Sequence, residues 1–241
     1  MLRTLYVLTW VAGATFVLGS LAVVLSLFHL TGNPIHHIAA LWAKSILAVS
    51  RIKVTVNGIE NIDPQTSYIF MCNHQSNFDI PVILAHLPVQ FRWLAKAELF
   101  KIPILSRSMR GAGYISIDRS NQESAFKSIK QAAQTVKDGV SVMIFPEGTR
   151  SRDGKIGPFK KGGFVLAVDS GVPIVPLIIH GTRAIMAKGG MRIKPGDVVL
   201  EIAKPIETGQ YTRVSKEALM QEVRDTMCAA FAKGEKGVTP C

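Results

Sequence analysis

The 241 residues are 48% hydrophobic with a mean hydropathy of +0.25, yet 28 Lys and Arg face 17 Asp and Glu, giving a net charge of +11 and a pI near 9.8. This is enough chain for one sizeable core with an appendage. Apolar and basic together fit a membrane surface, where an anionic leaflet attracts cations while apolar segments enter the lipid.

Nucleic-acid binding is the competing use of such charge. It is set aside because the chain has neither an aromatic-rich RNA-binding motif nor a basic helix with a dimer repeat. The three cysteines, Cys72, Cys228 and Cys241, include no CxxC pair. They argue against a disulfide framework and fit a reducing compartment.

In chain order, no charged residue falls between Arg3 and Lys44. The stretch from Leu5 to Leu30 is long enough to cross a bilayer, which needs about 20 apolar residues. It is longer than a signal-peptide core and is followed by the turn Gly32-Asn33-Pro34 rather than a small-residue cleavage site, so a retained anchor is expected. From Ile35 to Val49, apolar residues recur at helical spacing with Lys44 and Arg51 near the end, the pattern of an amphipathic interfacial helix. The turn leaves two arrangements open: a span, or a helical pair that dips into one leaflet. If it spans, the basic cluster Lys44, Arg51 and Lys53 puts the main domain in the cytoplasm, on an inner membrane.

Beyond residue 50 the pattern changes. Strands are expected at Ile52–Val56, Tyr68–Met71, Phe91–Leu94, Tyr114–Ile117, Val140–Phe145, Ile174–Ile179 and Val198–Ile202. Helices are expected at Ile80–His86, Gln122–Lys137, Gly163–Asp169 and Lys216–Ala232. Such alternation predicts an α/β fold, a mostly parallel central sheet flanked by helices, preceded by the N-terminal apolar helical pair. The division is residues 1–50 for the membrane segment and 51–241 for the main domain. Polar clusters follow three of the strands, where open α/β sheets gather their ligands.

One cluster is CNHQSNFDIP, residues 72–81. On a regular helix, residues five apart diverge by about 140°, so His74 and Asp79 meet only if a loop joins strand to helix. Asp79 then starts the helix, with Pro81 in its first turn. A carboxylate holding one imidazole nitrogen leaves the other to take a proton from a hydroxyl. Taken alone, the plainer reading prevails: Asp79 only caps the helix and His74 is an incidental loop residue.

Four blocks in order change that balance: NHQSNFD (73–79), GAGYISIDR (111–119), FPEGTRS (145–151) and VPIVPLII (172–179). Together they resemble the glycerolipid acyltransferase family, with its H-x4-D signature. The resemblance implies His74 as general base, Asp79 as its orienter, and Glu147, Gly148, Thr149 and Arg150 lining the acceptor site. Arg119 and Lys96 are further candidate phosphate contacts on the same resemblance. It implies acyl transfer from an acyl thioester, on coenzyme A or acyl carrier protein, to the free hydroxyl of lysophosphatidate, giving phosphatidate. No covalent acyl-enzyme is needed, and no G-x-S-x-G elbow is present.

No metal and no cofactor beyond the acyl donor is expected, and the partners are anionic membrane lipids, not nucleic acid. Arg92, Lys101, Arg107 and Arg110 are candidates for holding the domain on an anionic leaflet or for meeting an acidic donor, acyl carrier protein or the phosphates of coenzyme A. The prolines of the fourth block are expected at strand ends or irregular points. Two alternatives stay open: the same chemistry on another acceptor, such as glycerol-3-phosphate, a lysophospholipid or a lyso-amino-acid lipid, or a non-enzymatic membrane-binding protein.

Overall fold

The computed structural model describes residues 1–118, 120–234 and 241. Seven strands form one sheet: β1 (Ile52–Asn57), β2 (Ile69–Cys72), β3 (Phe91–Lys96), β4 (Ile115–Ile117), β5 (Ser141–Ile144), β6 (Ile174–His180) and β7 (Gly196–Ile202). Their order is β1-β7-β6-β2-β5-β3-β4. Every neighbouring pair is parallel except β6 with β7. The helices are α1 (Leu2–Leu27), α2 (Asn33–Val49), α3 (Asp79–His86), α4 (Leu105–Gly111), α5 (Gln122–Lys137), α6 (Gly162–Ser170), α7 (Thr182–Ile185) and α8 (Lys216–Gly234).

The central strands β2, β5 and β6 are buried at every position. That is why they read as unbroken apolar runs: each is covered on both faces. One face packs against α1, α2 and α3, and the other against α5, α6 and α8. Pro176 lies inside β6, one residue before the β7 ladder begins at Leu177, and its carbonyl accepts from Ala203 N–H. A proline there removes no donor from that ladder.

Two short helices, α4 and α7, are absent from the sequence expectations because neither is long enough to display a stripe. Arg92 departs from its expected role. It is 6% exposed and donates to Asn33 Oδ1 at 2.6 Å and to the Phe91 carbonyl, bracing β3 against the first residue of α2. It is therefore structural rather than lipid-facing. Cys228 and Cys241 are joined by a disulfide, a single clip at the C-terminal end that the odd cysteine count argued against.

Helix α1 is long and apolar enough to cross a membrane by length and composition. It nevertheless lies along the domain. Val7 and Ala22 are buried and Val11 and Leu25 pack on the same core, a helical stripe facing inward, while Leu5, Leu8, Phe16, Leu21 and Val24 face outward. Arg3 donates to the Ser50 carbonyl, Trp42 Nε1 to Thr15 Oγ1, and Ser108 Oγ to the Gly19 carbonyl. Gly19 permits the close approach of α4, since a Cβ there would meet Ile104 Cγ2 at 2.7 Å.

Candidate active site

The site forms at the C-terminal ends of β2, β5 and β6. Past β2 the chain turns sharply, and Asn73 extends the sheet with its side chain: its Oδ1 accepts from Ile179 N–H at 2.8 Å and its Nδ2 donates to the Ile179 carbonyl at 3.0 Å. His74 follows. Its Nδ1 lies 2.7 Å from Asp79 Oδ2, across the loop of Gln75, Ser76 and Asn77. The same carboxylate oxygen accepts from the backbone N–H groups of Gln75 and Ser76 at 2.7 and 2.8 Å, and Oδ1 accepts from Thr182 Oγ1 at 2.5 Å.

Asp79 is fully buried, but four donors satisfy it, so the charge is tolerated where an unpaired one would not be. A carboxylate can only accept, so Nδ1 carries the proton and Nε2 is the basic nitrogen. The ring stacks on Phe145 with centroids 3.9 Å apart, and Phe145 stacks in turn on Trp93.

The FPEGTRS block, which follows β5, fixes the backbone of His74 from both sides. Glu147 Oε1 accepts from His74 N–H at 2.8 Å, and Ser151 N–H donates to the His74 carbonyl at 2.7 Å. The other Glu147 oxygen accepts from Gly157 N–H at 2.8 Å. Glu147 is 4% exposed, behind the cavity wall. Burial pushes its carboxyl up to about 7; the two backbone N–H groups pull against this, the Asp79 charge adds to it, and Arg224 opposes it. Cys72 is buried, and burial raises its thiol well above the usual range, with Asp79 and Glu147 adding to the effect. A thiol held neutral is no nucleophile.

His74 lines a cavity of about 680 Å³, within the roughly 300–1,000 Å³ of small-ligand sites. One end is polar: Gly148, Thr149, Arg150 and Lys96. The rest is apolar and runs between the sheet and the helical pair, past Trp93, Leu99, Leu18 and Trp42. Gly148 has φ +74°, a turn that suits glycine and opens the polar end. Arg150 is half-buried with no ion pair among the described residues, whereas Lys96 is exposed and pairs with Glu98 at 3.0 Å. Arg119 lies outside the described residues.

The structure thus brings His74, Asp79, Gly148, Thr149, Arg150 and Lys96 together at one cavity mouth or directly behind it, with Glu147 beneath His74. Such a site can remove a proton from a hydroxyl whose neighbouring anionic group is held by cations, while an apolar chain runs beneath the helical pair.

The family model described as Acyltransferase matches residues 53–180, just over half of the chain. The chain belongs to the acyltransferase family. It is 38% identical over 204 residues to the chloroplastic 1-acyl-sn-glycerol-3-phosphate acyltransferase BAT2 of Brassica napus, covering 79% of this chain and 59% of that protein. It is 34% identical over 181 residues to human 1-acyl-sn-glycerol-3-phosphate acyltransferase alpha, covering 75% of this chain and 64% of that one. The chain thus spans about three-fifths of the length of these curated relatives. The crystal structure of the 1-acyl-sn-glycerophosphate acyltransferase PlsC from Thermotoga maritima superimposes with a TM-score of 0.78 at 28% identity, over 98% of this chain and 99% of that one.

Within this site, sequence reasoning missed Thr182, Lys188 and the side-chain role of Asn73. Thr182 carries a signal: it stands just past β6, at the strand end where site residues gather. Lys188 carries none, being one of 28 basic residues. Its Nζ donates to Thr149 Oγ1 at 3.0 Å and to the Arg150 carbonyl at 2.7 Å, which fastens a second cation without an acidic partner among the described residues to two residues that line the polar end of the cavity.

Proposed function

We propose that this acyltransferase moves an acyl group from a thioester, on coenzyme A or acyl carrier protein, to the free sn-2 hydroxyl of 1-acyl-glycerol-3-phosphate, giving phosphatidate. The observation that carries the reading is His74, held by a buried carboxylate, opening on a cavity that joins Arg150, which has no ion pair among the described residues and whose carbonyl is held by Lys188, to an apolar channel. The names of the plant, human and Thermotoga relatives agree with it.

His74 Nε2 takes the hydroxyl proton as the oxygen attacks the thioester carbonyl. The imidazolium that forms is stabilised by Asp79. Collapse of the tetrahedral intermediate breaks the carbon–sulfur bond, and the leaving thiolate takes the proton back from His74. Arg150 binds the phosphate bidentately, Lys188 adds a point charge and Lys96 stands at the rim.

Helix α1 is apolar both toward the domain and away from it, and it is fastened to the domain along its length. We read it as lying within one leaflet, with its outward face in lipid. The acceptor then need not leave the bilayer, which would cost about 0.8 kcal/mol per CH₂.

The test is acyl transfer by purified protein in lipid micelles, offering both donor types with lysophosphatidate, glycerol-3-phosphate and neutral or amino-acid lyso-lipids, beside His74→Ala. Phosphatidate from wild type and none from the variant supports the reading. Turnover only with another acceptor would keep the chemistry and replace the substrate. No turnover with any pair would refute it.

A further inference from the structure

The loop between α7 and β7, residues 186–195, is tied down at three places. Met186 O accepts from Ser76 Oγ at 2.7 Å, Lys188 holds Thr149 and Arg150, and Ile193 N–H donates to Thr4 Oγ1 at 3.1 Å. Ile193 is buried, and Lys194 N–H returns to the Ile185 carbonyl.

Between these ties the loop presents Met191, 85% exposed, with Arg192 and Lys194 exposed on either side of the buried Ile193. Neither cation has an ion-pair partner among the described residues. No Asp or Glu occurs between Asp169 and Asp197. An exposed Met in water gains nothing, and unpaired cations beside it suit an anionic surface. The Ile193–Thr4 bond sets this tip against the first turn of α1, where Met1, Leu2 and Leu5 are also exposed.

We propose that this loop is a second lipid-contacting element: Met191 enters the interfacial layer beside the start of α1, and Arg192 and Lys194 bind the phosphates of anionic headgroups. The loop is a reader of leaflet charge separate from the helical pair. Because Lys188 lies on the same loop, three residues from Met191, lipid contact at the tip also steadies the Thr149–Arg150 turn. This last link rests on the acceptor site proposed above; the lipid contact rests only on α1 lying in the leaflet.

The test uses the full chain with Cys228→Ser and Cys241→Ser, carrying an environment-sensitive nitrobenzoxadiazole label at Met191→Cys. A control carries the same label at Lys130→Cys on α5, across the sheet. Vesicles are phosphatidylcholine, alone or mixed with phosphatidylglycerol, with and without spin-labelled lipid. The expected result is blue-shifted emission and quenching by spin-labelled lipid at position 191 and not at position 130. Arg192→Gln with Lys194→Gln should lower the preference for anionic over neutral vesicles by about 30-fold, from about 1 kcal/mol per cation near an anionic surface.

A label at position 191 that stays water-exposed on vesicle-bound protein would overturn the proposal. So would a double variant that keeps its anionic preference. A double variant impaired only with acyl carrier protein donors, its label unquenched, would assign the face to an acidic carrier and overturn it equally. The quenching does not depend on turnover, so an inactive wild type would refute the acyl-transfer reading and leave this one standing.

Discussion

Replacing Asp79 by Asn isolates the charge behind His74 from the geometry that holds it. An Asn side chain can keep its oxygen toward His74 Nδ1 and the Gln75 and Ser76 N–H groups, and turn its amide to Thr182, whose hydroxyl then accepts. Every buried partner stays satisfied, so stability should change by no more than about 2 kcal/mol. What disappears is the negative charge facing the imidazolium that forms when His74 takes a proton. Two charges about 4 Å apart interact by about 4 kcal/mol at an effective dielectric of 20. At about 1.4 kcal/mol per factor of ten, kcat should fall roughly a thousandfold while KM for the acceptor changes little. The assay is steady-state acyl transfer across a range of acceptor concentrations, with a thermal melt to confirm the fold. A folded Asp79→Asn protein within tenfold of wild-type kcat would refute the argument that this carboxylate stabilises a transferred proton.

Glu147→Gln places an amide donor opposite one of two buried backbone N–H groups, His74 or Gly157. Steady-state kinetics should show kcat falling at unchanged acceptor KM, because Glu147 sits behind the cavity wall and not in it. The same variant tests the raised carboxyl. The folded state holds the Glu147 proton up to about pH 7, against an ordinary 4.5. Its contribution is therefore full below pH 4.5 and lost as pH rises to 7, a change of about 3 kcal/mol. Chemical denaturation across that window should show wild type losing stability relative to Glu147→Gln. Lys188→Met should raise KM for lysophosphatidate about tenfold with a smaller effect on kcat, and should barely affect a lyso-lipid lacking the phosphate monoester. Thr182→Val removes one of four donors to Asp79 and should cost about 2 kcal/mol, a Tm fall of about 4–8 °C.

The parts of the molecule legible in the sequence are those whose pattern is local. The strands at the centre of the sheet announce themselves as apolar runs such as SYIFM, because both faces are covered. The spacing of His74 and Asp79 shows only that a loop must bring them together if they cooperate; the four ordered blocks, not the spacing, select that pairing. What is not legible depends on where distant segments land. Nothing in FPEGTR says that its Glu faces inward to hold the His74 N–H while its Thr and Arg face the cavity. That split follows from the turn at Gly148, with its positive φ, which sends consecutive side chains to opposite sides of the cavity wall. Lys188 is invisible for a plainer reason: a cation is identified by what it faces, and its partners stand 38 and 39 residues away.

The N-terminal helix shows the same limit from the other side. A helix apolar all round reads as a membrane span, because periodicity reports only a contrast between faces. Here the inward face meets apolar protein and the outward face is apolar too, so no contrast exists to be read. Direction comes instead from small polar ties: Arg3 to the Ser50 carbonyl, Thr4 to Ile193, Thr15 to Trp42 and the Gly19 carbonyl to Ser108. A helix of 26 residues is about 39 Å long, so crossing the roughly 30 Å hydrocarbon core while the domain stays outside would break most of these ties and open the cavity wall that Val11, Thr15, Leu18 and Ala22 supply. The wall of the apolar channel and the proposed membrane anchor are therefore one element, and a substitution that detaches α1 from α4, such as Gly19→Leu, should disrupt the cavity and membrane attachment together.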